Sequence, residues 1–216
     1  MFDRIAHRYD LLNTVLSGGS DARWRRATAH AAGLGRGGRA LDVATGSGKL
    51  ALALHREAPD GLVVGLDFSA SMLRVAAERA RGPVYVRGDG LRLPFPDATF
   101  DAVTVAFGLR NFSDPAAGLA EMRRVLRPRG RALVLEFVRP GLGPAGRAYR
   151  AYLRHGLPRL GGWISGQPSA YRYLSDTVDA YHSPEELVEL AERAAWHDPR
   201  IRLLTLGTVG LLSGAR

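Results

Sequence analysis

Residues 39–51 read RALDVATGSGKLA, and this stretch decides the fold. A short apolar run up to Val43 is followed by two glycines, Gly46 and Gly48, and then by the start of a second apolar segment. Glycines at such a point allow a tight turn and let a ligand lie against bare backbone. The stretch therefore predicts a strand, a ligand-binding turn and a helix in succession.

The alternation of short apolar runs with helical segments continues along the chain on both sides of this turn. The predicted strands are Arg39 to Ala44, Leu62 to Asp67, Pro83 to Arg87, Asp101 to Phe107 and Ala132 to Phe137. The predicted helices are Lys49 to Glu57, Ser69 to Arg81 and Asp114 to Leu126. Strands that alternate with helices indicate an α/β fold with a doubly wound, mostly parallel sheet, whose ligands bind at the carboxyl ends of the strands.

Three further segments lie outside this alternating core. Residues 1 to 32 carry apolar positions at helical spacing and predict a helical cap, whereas residues 140 to 181 are rich in Gly, Pro and Arg and predict a helical insertion. Ser183 and Pro184 are an N-cap and first-turn proline for a last helix, and Ile201 to Leu212 predict a terminal hairpin at the sheet edge. We expect a single domain over residues 1–216.

Composition excludes several classes of function. The chain has 216 residues, of which 46% are hydrophobic, enough for one sizeable core. The absence of cysteine excludes disulfides, thiolate zinc sites and cysteine nucleophiles, and we expect no metal. No apolar run approaches the length of a membrane span and no signal peptide is recognisable, so we expect a soluble, cytoplasmic protein.

The net charge of +9 is compatible with nucleic acid, acidic substrates or an anionic membrane surface as partners. Lys49 is the only lysine among the 30 basic residues, which indicates a compositional preference for arginine rather than a dedicated phosphate-binding surface. A basic face of Arg23, Arg25, Arg26 with Trp24, and of Arg147, Arg150 and Arg154, is a candidate for peripheral contact with the inner face of the cytoplasmic membrane. A homodimer is compatible with the sequence, and we expect no nucleic-acid partner.

The glycine turn alone does not identify its ligand. Asp67 ends the second predicted strand, where a carboxylate can accept hydrogen bonds from both hydroxyls of a ribose. The spacing of Gly46, Gly48 and Ala51 also satisfies the dinucleotide fingerprint, and such a turn can simply allow close packing of a helix on a sheet.

Three features favour S-adenosylmethionine as the cofactor. Asp42 lies just before the glycines, where a carboxylate suits a cationic sulfonium and ammonium better than a pyrophosphate. Asp89, within Gly88-Asp89-Gly90 after the third strand, is positioned for an adenine amino group. The fourth strand runs into polar groups at the mouth of the site, from Ala106 to Asn111.

Six segments of the chain resemble, in order, those of the C-methyltransferase family of quinone biosynthesis. They are MFDRIAHRYDLLNTVLS, LDVATGSGKLAL, GLDFSASML, GDGLRLPFPDATFDAVTVAFGLRNFSD, MRRVLRPRGRALVLEF and YRYLSDTVDAYHSPEEL. The resemblance implies a class I, Rossmann-like methyltransferase fold with a seven-stranded sheet, and methylation of a polyprenylated quinol by S-adenosylmethionine. The N-terminal segment resembles the bacterial enzymes that convert demethylmenaquinol to menaquinol more than those that act on 2-polyprenyl-6-methoxy-1,4-benzoquinol, a ubiquinone precursor, or on both.

The resemblance and the chemistry together identify candidate site residues. The expected cofactor contacts are Asp42, Gly46, Ser47, Gly48, Asp67, Phe68, Asp89, Gly90 and Ala106. The ring carbon is nucleophilic only when the neighbouring hydroxyl loses its proton, so Arg110 is the expected partner of the phenolate, and Asn111 is expected to orient a water that removes the proton. Two residues depart from the family: Ser47 replaces a frequent Thr, and Lys49 replaces a frequent Asp.

Three other classes of function remain open from the residues themselves. A nicotinamide-dependent oxidoreductase would explain Gly46, Gly48 and Asp67 but not Asp42 or Asp89. A nucleic-acid methyltransferase would explain the charge, but the characteristic Asn/Asp-Pro-Pro-aromatic tetrapeptide or cysteine nucleophile is missing from the sequence. A noncatalytic binding module is disfavoured because the carboxylates and the polar mouth are both present.

Overall fold

The computed structural model describes residues 17, 19–79, 81–139, 141, 143–151, 156 and 181–216. Seven strands form one sheet in the order β3-β2-β1-β4-β5-β7-β6. Their bounds are β1 Arg39–Val43, β2 Leu62–Asp67, β3 Val84–Arg87, β4 Phe100–Ala106, β5 Leu126–Phe137, β6 His197–Leu204 and β7 Val209–Ala215. Strands β1 to β5 are parallel, and β7 runs antiparallel to both of its neighbours. The chain reverses its direction of winding at β1, so the carboxyl ends of β1 and β4 flank a crevice.

Six α-helices are described. They are α1 Asp21–Ala31, α2 Lys49–Glu57, α3 Ala70–Arg79, α4 Pro115–Val125, α5 Pro144–Ala151 and α6 Pro184–Arg193. Local chemistry explains where two of them begin. The Asp114 carboxylate accepts a hydrogen bond from the Ala117 amide at 3.0 Å, and Ser183 forms a reciprocal capping box with Glu186.

Alternate residues of each central strand pack into separate cores on the two faces of the sheet. Ala40 of β1 and Leu133 of β5 pack with α1 and α2 on one face, whereas Leu41 and Val134 pack with α4 and α6 on the other. This arrangement explains why the central strands read as continuous apolar runs, since both faces are covered.

The predicted order of strands and helices is confirmed, including the terminal hairpin, which is formed by β6 and β7. The largest difference is β5, which starts at Leu126, directly after α4, because the chain becomes extended as soon as the helix ends. Of the predicted cap and insertion the structure describes α1 and α5. The remainder lies largely outside the described residues, and the domain division stays a prediction.

None of the helices among the described residues is both long enough and apolar enough to cross a membrane.

Candidate active site

A cleft of about 820 Å³ lies at the carboxyl ends of β1, β2 and β4. Its walls come from the glycine turn after β1, the segment after β2, the turn after β3 and the segment after β4. These are the segments in which the sequence concentrates its polar groups. The fold therefore brings them together at the edge where α/β proteins bind ligands.

The glycine turn requires glycine for two different reasons. Gly46 and Gly48 have φ values of 55° and 76°, a left-handed conformation that side chains disfavour. A Cβ atom at Gly48 would also collide with the hydroxyl of Tyr85 on β3. Gly48 thus shapes the turn from behind and is not on the cleft wall, whereas Gly46 is.

Asp67 fixes the shape of the cleft at the end of β2. Its Oδ2 accepts a hydrogen bond from the Gly46 amide at 2.8 Å, and its Oδ1 accepts one from the Ser69 amide at 2.9 Å. One carboxylate therefore joins the glycine turn to the start of α3. It lies on the cleft wall, where a ribose would be within its reach.

Asp42 is buried at the base of the cleft between two hydroxyl groups. Thr45 donates a hydrogen bond to its Oδ2 at 2.6 Å and Thr104 donates one to its Oδ1 at 2.9 Å. Burial raises the pKa of Asp42 to about 6, while these hydrogen bonds and the positive charge of Arg25 oppose the rise. The carboxylate is consequently mostly ionised at pH 7 and offers a negative charge to a cation in the cleft.

The side of the cleft that the sequence predicts for an adenine is formed by the turns after β2 and β3. Asp89 Oδ1 accepts a hydrogen bond from the Leu91 amide at 2.9 Å, which closes the turn. Gly90 is packed so closely on Phe112 that an added Cβ would lie 2.5 Å from the ring. Phe68 is 72% exposed at the edge of the cleft, and the guanidinium of Arg87 lies 5.8 Å from its ring centre.

The structure brings most of the predicted cofactor residues to one cleft. Those on its wall are Asp42, Gly46, Ser47, Asp67, Phe68, Asp89, Gly90 and Ala106, together with Asn111. Gly48 and Arg110 are not on the wall. The ligand contacts of all these residues stay predictions.

Arg110 does not present its charge to the described cleft. Its Nη1 forms an ion pair with Oε1 of Glu136 on β5, and both side chains are buried. The Arg110 amide also points to Glu136 Oε2, at 3.4 Å, and the guanidinium lies 5.8 Å from the ring centre of Phe137. Burial raises the pKa of Glu136, against the opposing charge of Arg110. The direct contact that we expected between Arg110 and a phenolate stays a prediction, and the described contacts of Arg110 are with Glu136 and Phe137.

Helix α1 closes the cleft near β1. Trp24 packs against Phe107 and Phe137, with ring centres 6.1 and 6.3 Å away, and its indole N–H donates to the Thr205 hydroxyl at 2.9 Å. The docked helix places Arg25 on the cleft wall, 5.2 Å from the ring centre of Phe107.

This placement corrects one part of the predicted basic membrane face. Trp24 and Arg25 are buried and face the protein, whereas Arg23 and Arg26 are exposed. Helical geometry explains the division, because adjacent residues of one helix point in different directions. Arg154 lies outside the described residues.

Four residues that shape the site were not predicted: Arg25, Thr45, Thr104 and Glu136. Thr104 is the register partner of Asp42 across β1 and β4, which only the strand pairing reveals. A buried ion pair at Glu136 could have been predicted, since an acidic residue within the apolar run ALVLEF requires a buried partner.

The residues on the cleft wall fit S-adenosylmethionine. The cofactor carries a cationic sulfonium and ammonium, a carboxylate, a ribose and an adenine. The wall offers Asp42 for the cations, Arg25 and Lys49 for an anion, and Asp67 and Asp89 for the nucleoside. No group of the cofactor lacks a complementary side chain.

Several solved structures with the same fold are named methyltransferases. An S-adenosylmethionine-dependent methyltransferase from Thermotoga maritima superimposes with a TM-score of 0.67 at 19% identity, covering 99% of this chain and 97% of its own. One from Aquifex aeolicus gives 0.60 at 20% identity, with 88% of each chain covered. These likenesses show the fold of this chain, which is that of the class I methyltransferases.

The sequence comparisons are more specific. The pattern of the ubiE/COQ5 methyltransferase family matches residues 1–216, and the chain belongs to this family. Demethylmenaquinone methyltransferases of Deinococcus radiodurans and Thermus thermophilus are each 49% identical, over 99% and 100% of this chain and 90% and 100% of theirs. That of Mycobacterium tuberculosis is 45% identical over 99% of this chain and 90% of its own. The predicted family, fold class, enzyme class and cofactor are confirmed, which decides the ambiguity of the glycine turn against a nicotinamide-dependent oxidoreductase.

Proposed function

We propose that this protein methylates the ring carbon of demethylmenaquinol to give menaquinol, with S-adenosylmethionine as methyl donor. The observation that carries the proposal is its similarity, along nearly the full length of both chains, to enzymes named for that reaction. The cleft supports it, since the residues on its wall suit the cofactor and include the segment after β4.

The chain's own residues have three tasks in such a reaction. The cofactor, when bound, supplies an electrophilic methyl group on a sulfonium. Asp67 and Asp89 hold the nucleoside, and the ionised Asp42 favours the cationic end. These contacts would hold the cofactor so that a ring carbon could approach its methyl group in line.

Asn111 is the polar side chain that we propose for contact with the quinol. It ends the short 3₁₀ helix Leu109–Asn111 and lies on the cleft wall. Its amide can hold a water molecule, or the quinol hydroxyl itself, so that the proton leaves as the ring becomes nucleophilic.

For Arg110 the geometry favours a positioning role. Glu136 engages both the guanidinium and the backbone amide of Arg110, so the pair clamps the turn that carries Asn111. In this proposal Arg110 acts through the orientation of its neighbour, and Glu136 belongs to the same unit.

A methylation assay with three acceptors tests the proposed function. Purified protein and labelled S-adenosylmethionine are incubated with demethylmenaquinol, with 2-polyprenyl-6-methoxy-1,4-benzoquinol and with tRNA. We expect methylation of the naphthoquinol. Preference for the benzoquinol would indicate a role in ubiquinone synthesis instead. Methylation of tRNA alone would refute a quinol substrate.

We further propose a cytoplasmic protein that contacts the membrane peripherally, because a polyprenylated quinol resides there. Four residues of the predicted basic face are described outside the buried core: Arg23 and Arg26 on α1, and Arg147 and Arg150 on α5. Flotation with anionic vesicles should depend on lipid charge and salt, and binding indifferent to both would contradict this role. A homodimer is proposed on the sequence alone and is tested by light scattering.

A further inference from the structure

Two basic side chains face the cofactor cleft close to β1, and an acidic side chain lies behind them. Arg25 and Lys49 are on the cleft wall, whereas Asp21 is not. Asp21 Oδ2 lies 2.6 Å from Arg25 Nη1 and 3.4 Å from Lys49 Nζ. The cluster thus presents two positive charges to the cleft.

We propose that Arg25 and Lys49 bind the α-carboxylate of the cofactor's methionine moiety, and that Asp21 positions them. The cluster carries a net charge of +1, because one carboxylate is shared by two cations. Asp42 is buried beside it and attracts the opposite charge. An amino-acid group, which carries one ammonium and one carboxylate, is complementary to this pair of neighbouring sites.

Burial strengthens the electrostatic attraction between the cluster and a carboxylate in the cleft. The side chains of Arg25 and Asp21 are 8% and 6% exposed, and that of Lys49 is 23% exposed. Charges in such a setting are less screened than surface charges, so a carboxylate in the cleft gains more from them than it would in water. A guanidinium has five N–H donors, and its ion pair with Asp21 engages Nη1.

The fold holds both cations in place. Arg25 is fixed by the docking of α1 through its neighbour Trp24, and Lys49 is the first residue of α2, directly after the glycine turn. At the start of α2 the lysine can share in the binding of the carboxylate.

The test compares ligands that differ in the amino-acid group. Calorimetry measures the affinity for two ligands. S-adenosylhomocysteine carries the carboxylate, and 5′-methylthioadenosine lacks the whole amino-acid group. Lys49→Gln should weaken the binding of S-adenosylhomocysteine about fivefold, the upper range for a partly exposed ion pair. The affinity for methylthioadenosine should change less than about twofold. Arg25→Gln should show the same selectivity with a larger loss.

Two controls keep the result interpretable. Arg56→Gln removes the same charge from an exposed position of the same helix, and should change neither ligand. Decarboxylated S-adenosylmethionine keeps the sulfonium and the amine, and Lys49→Gln should not weaken it. Equal losses for both adenosine ligands, or an unchanged affinity for S-adenosylhomocysteine in folded Lys49→Gln and Arg25→Gln proteins, would overturn the assignment. The readout is binding alone, so it does not depend on which quinol is methylated.

Discussion

Arg110 and Glu136 form a buried ion pair that joins the turn after β4 to the end of β5, with side chains that are 5% and 0% exposed. A buried pair of this kind contributes little net stability, yet removal of one partner leaves the other charge without compensation. The pair therefore makes any single substitution at Arg110 a test of folding as well as of catalysis.

Arg110→Ala should lower the free energy of unfolding by about 3–5 kcal/mol, because the Glu136 carboxylate would remain buried without its partner. The double variant Arg110→Met/Glu136→Met should recover most of this loss, since apolar groups replace both charges. Urea denaturation measures both. If the single and double variants were equally stable, the uncompensated charge of Glu136 would not be the cause of the lost stability.

The same double variant separates the two roles of Arg110. If the pair positions Asn111, single-turnover methylation should fall on the order of 100-fold, as for other losses of alignment, and should stay low at raised pH. Recovery of the rate at high pH, where the quinol ionises unaided, would instead show that Arg110 stabilises the phenolate directly. Asn111→Ala should show a loss in the same direction.

Asp67→Ala should weaken S-adenosylmethionine binding by roughly 1.5 to 3 kcal/mol, the range for hydrogen bonds to a charged group. The substitution also releases the Gly46 amide, so the glycine turn loses its anchor. Calorimetric titration gives the affinity. Asp60→Ala, which removes an exposed carboxylate before β2, is the matched control, and equal affinities in the two variants would refute the assignment.

Cofactor affinity should fall as the pH is lowered through the pKa of Asp42, about 6. The ionised form attracts the cationic end of the cofactor, and its population decreases about tenfold between pH 7 and pH 5. Affinity should decrease accordingly, by up to the same factor. Asp42→Asn removes the titrating group. A pH dependence of the affinity that persists in this variant would show that another group causes it.

The stability of the protein without cofactor should change with pH in the opposite direction from the cofactor affinity. The folded state holds the Asp42 proton more tightly than the unfolded state, whose pKa is near 3.8. Asp42 thus contributes stability that is present at low pH and is lost as the pH rises from about 4 to about 6. Thermal unfolding of the wild type and of Asp42→Asn without cofactor, measured across this range, checks the direction.

Trp24→Ala should cost about 3–5 kcal/mol of stability, because it leaves a cavity beside Phe107 and Phe137 and breaks the hydrogen bond to Thr205. The neighbouring Arg23 is exposed, so Arg23→Ala should change stability by less than about 0.5 kcal/mol. Chemical denaturation compares the two. A small effect of Trp24→Ala would mean that α1 is not held by this contact.

The sequence predicts the parallel core well because each strand and helix carries its own local pattern. Buried strands read as Val- and Leu-rich runs, and the caps at Asp114 and Ser183 follow from side-chain chemistry within four residues. The start of β5 was misplaced because Arg127-Pro128-Arg129-Gly130 resembles a turn. The strand nevertheless continues across this irregular segment, since Leu126 pairs with Phe100 before it and Arg131 pairs with Ala102 after it.

The sequence predicts which residues reach the cleft where one loop carries them, but it does not predict contacts between residues that the fold joins from distant parts of the chain. The glycine turn and Asp67 are readable from spacing. The partner of Arg110 is 26 residues away on another strand, and the contact of Trp24 with Thr205 spans 181 positions. Such pairs depend on which strands are neighbours, and a single sequence does not specify this directly.

The antiparallel β7 also bears on how the protein is made. Phe137 at the end of β5 pairs with Val209, so the two strands meet only after 72 further residues have been synthesised. Until then, β5 has an unpaired edge made of strongly apolar residues, which invites pairing with another chain. A nascent chain that stalls before β7 should therefore aggregate or recruit a chaperone, although every residue of the cofactor cleft has already been translated.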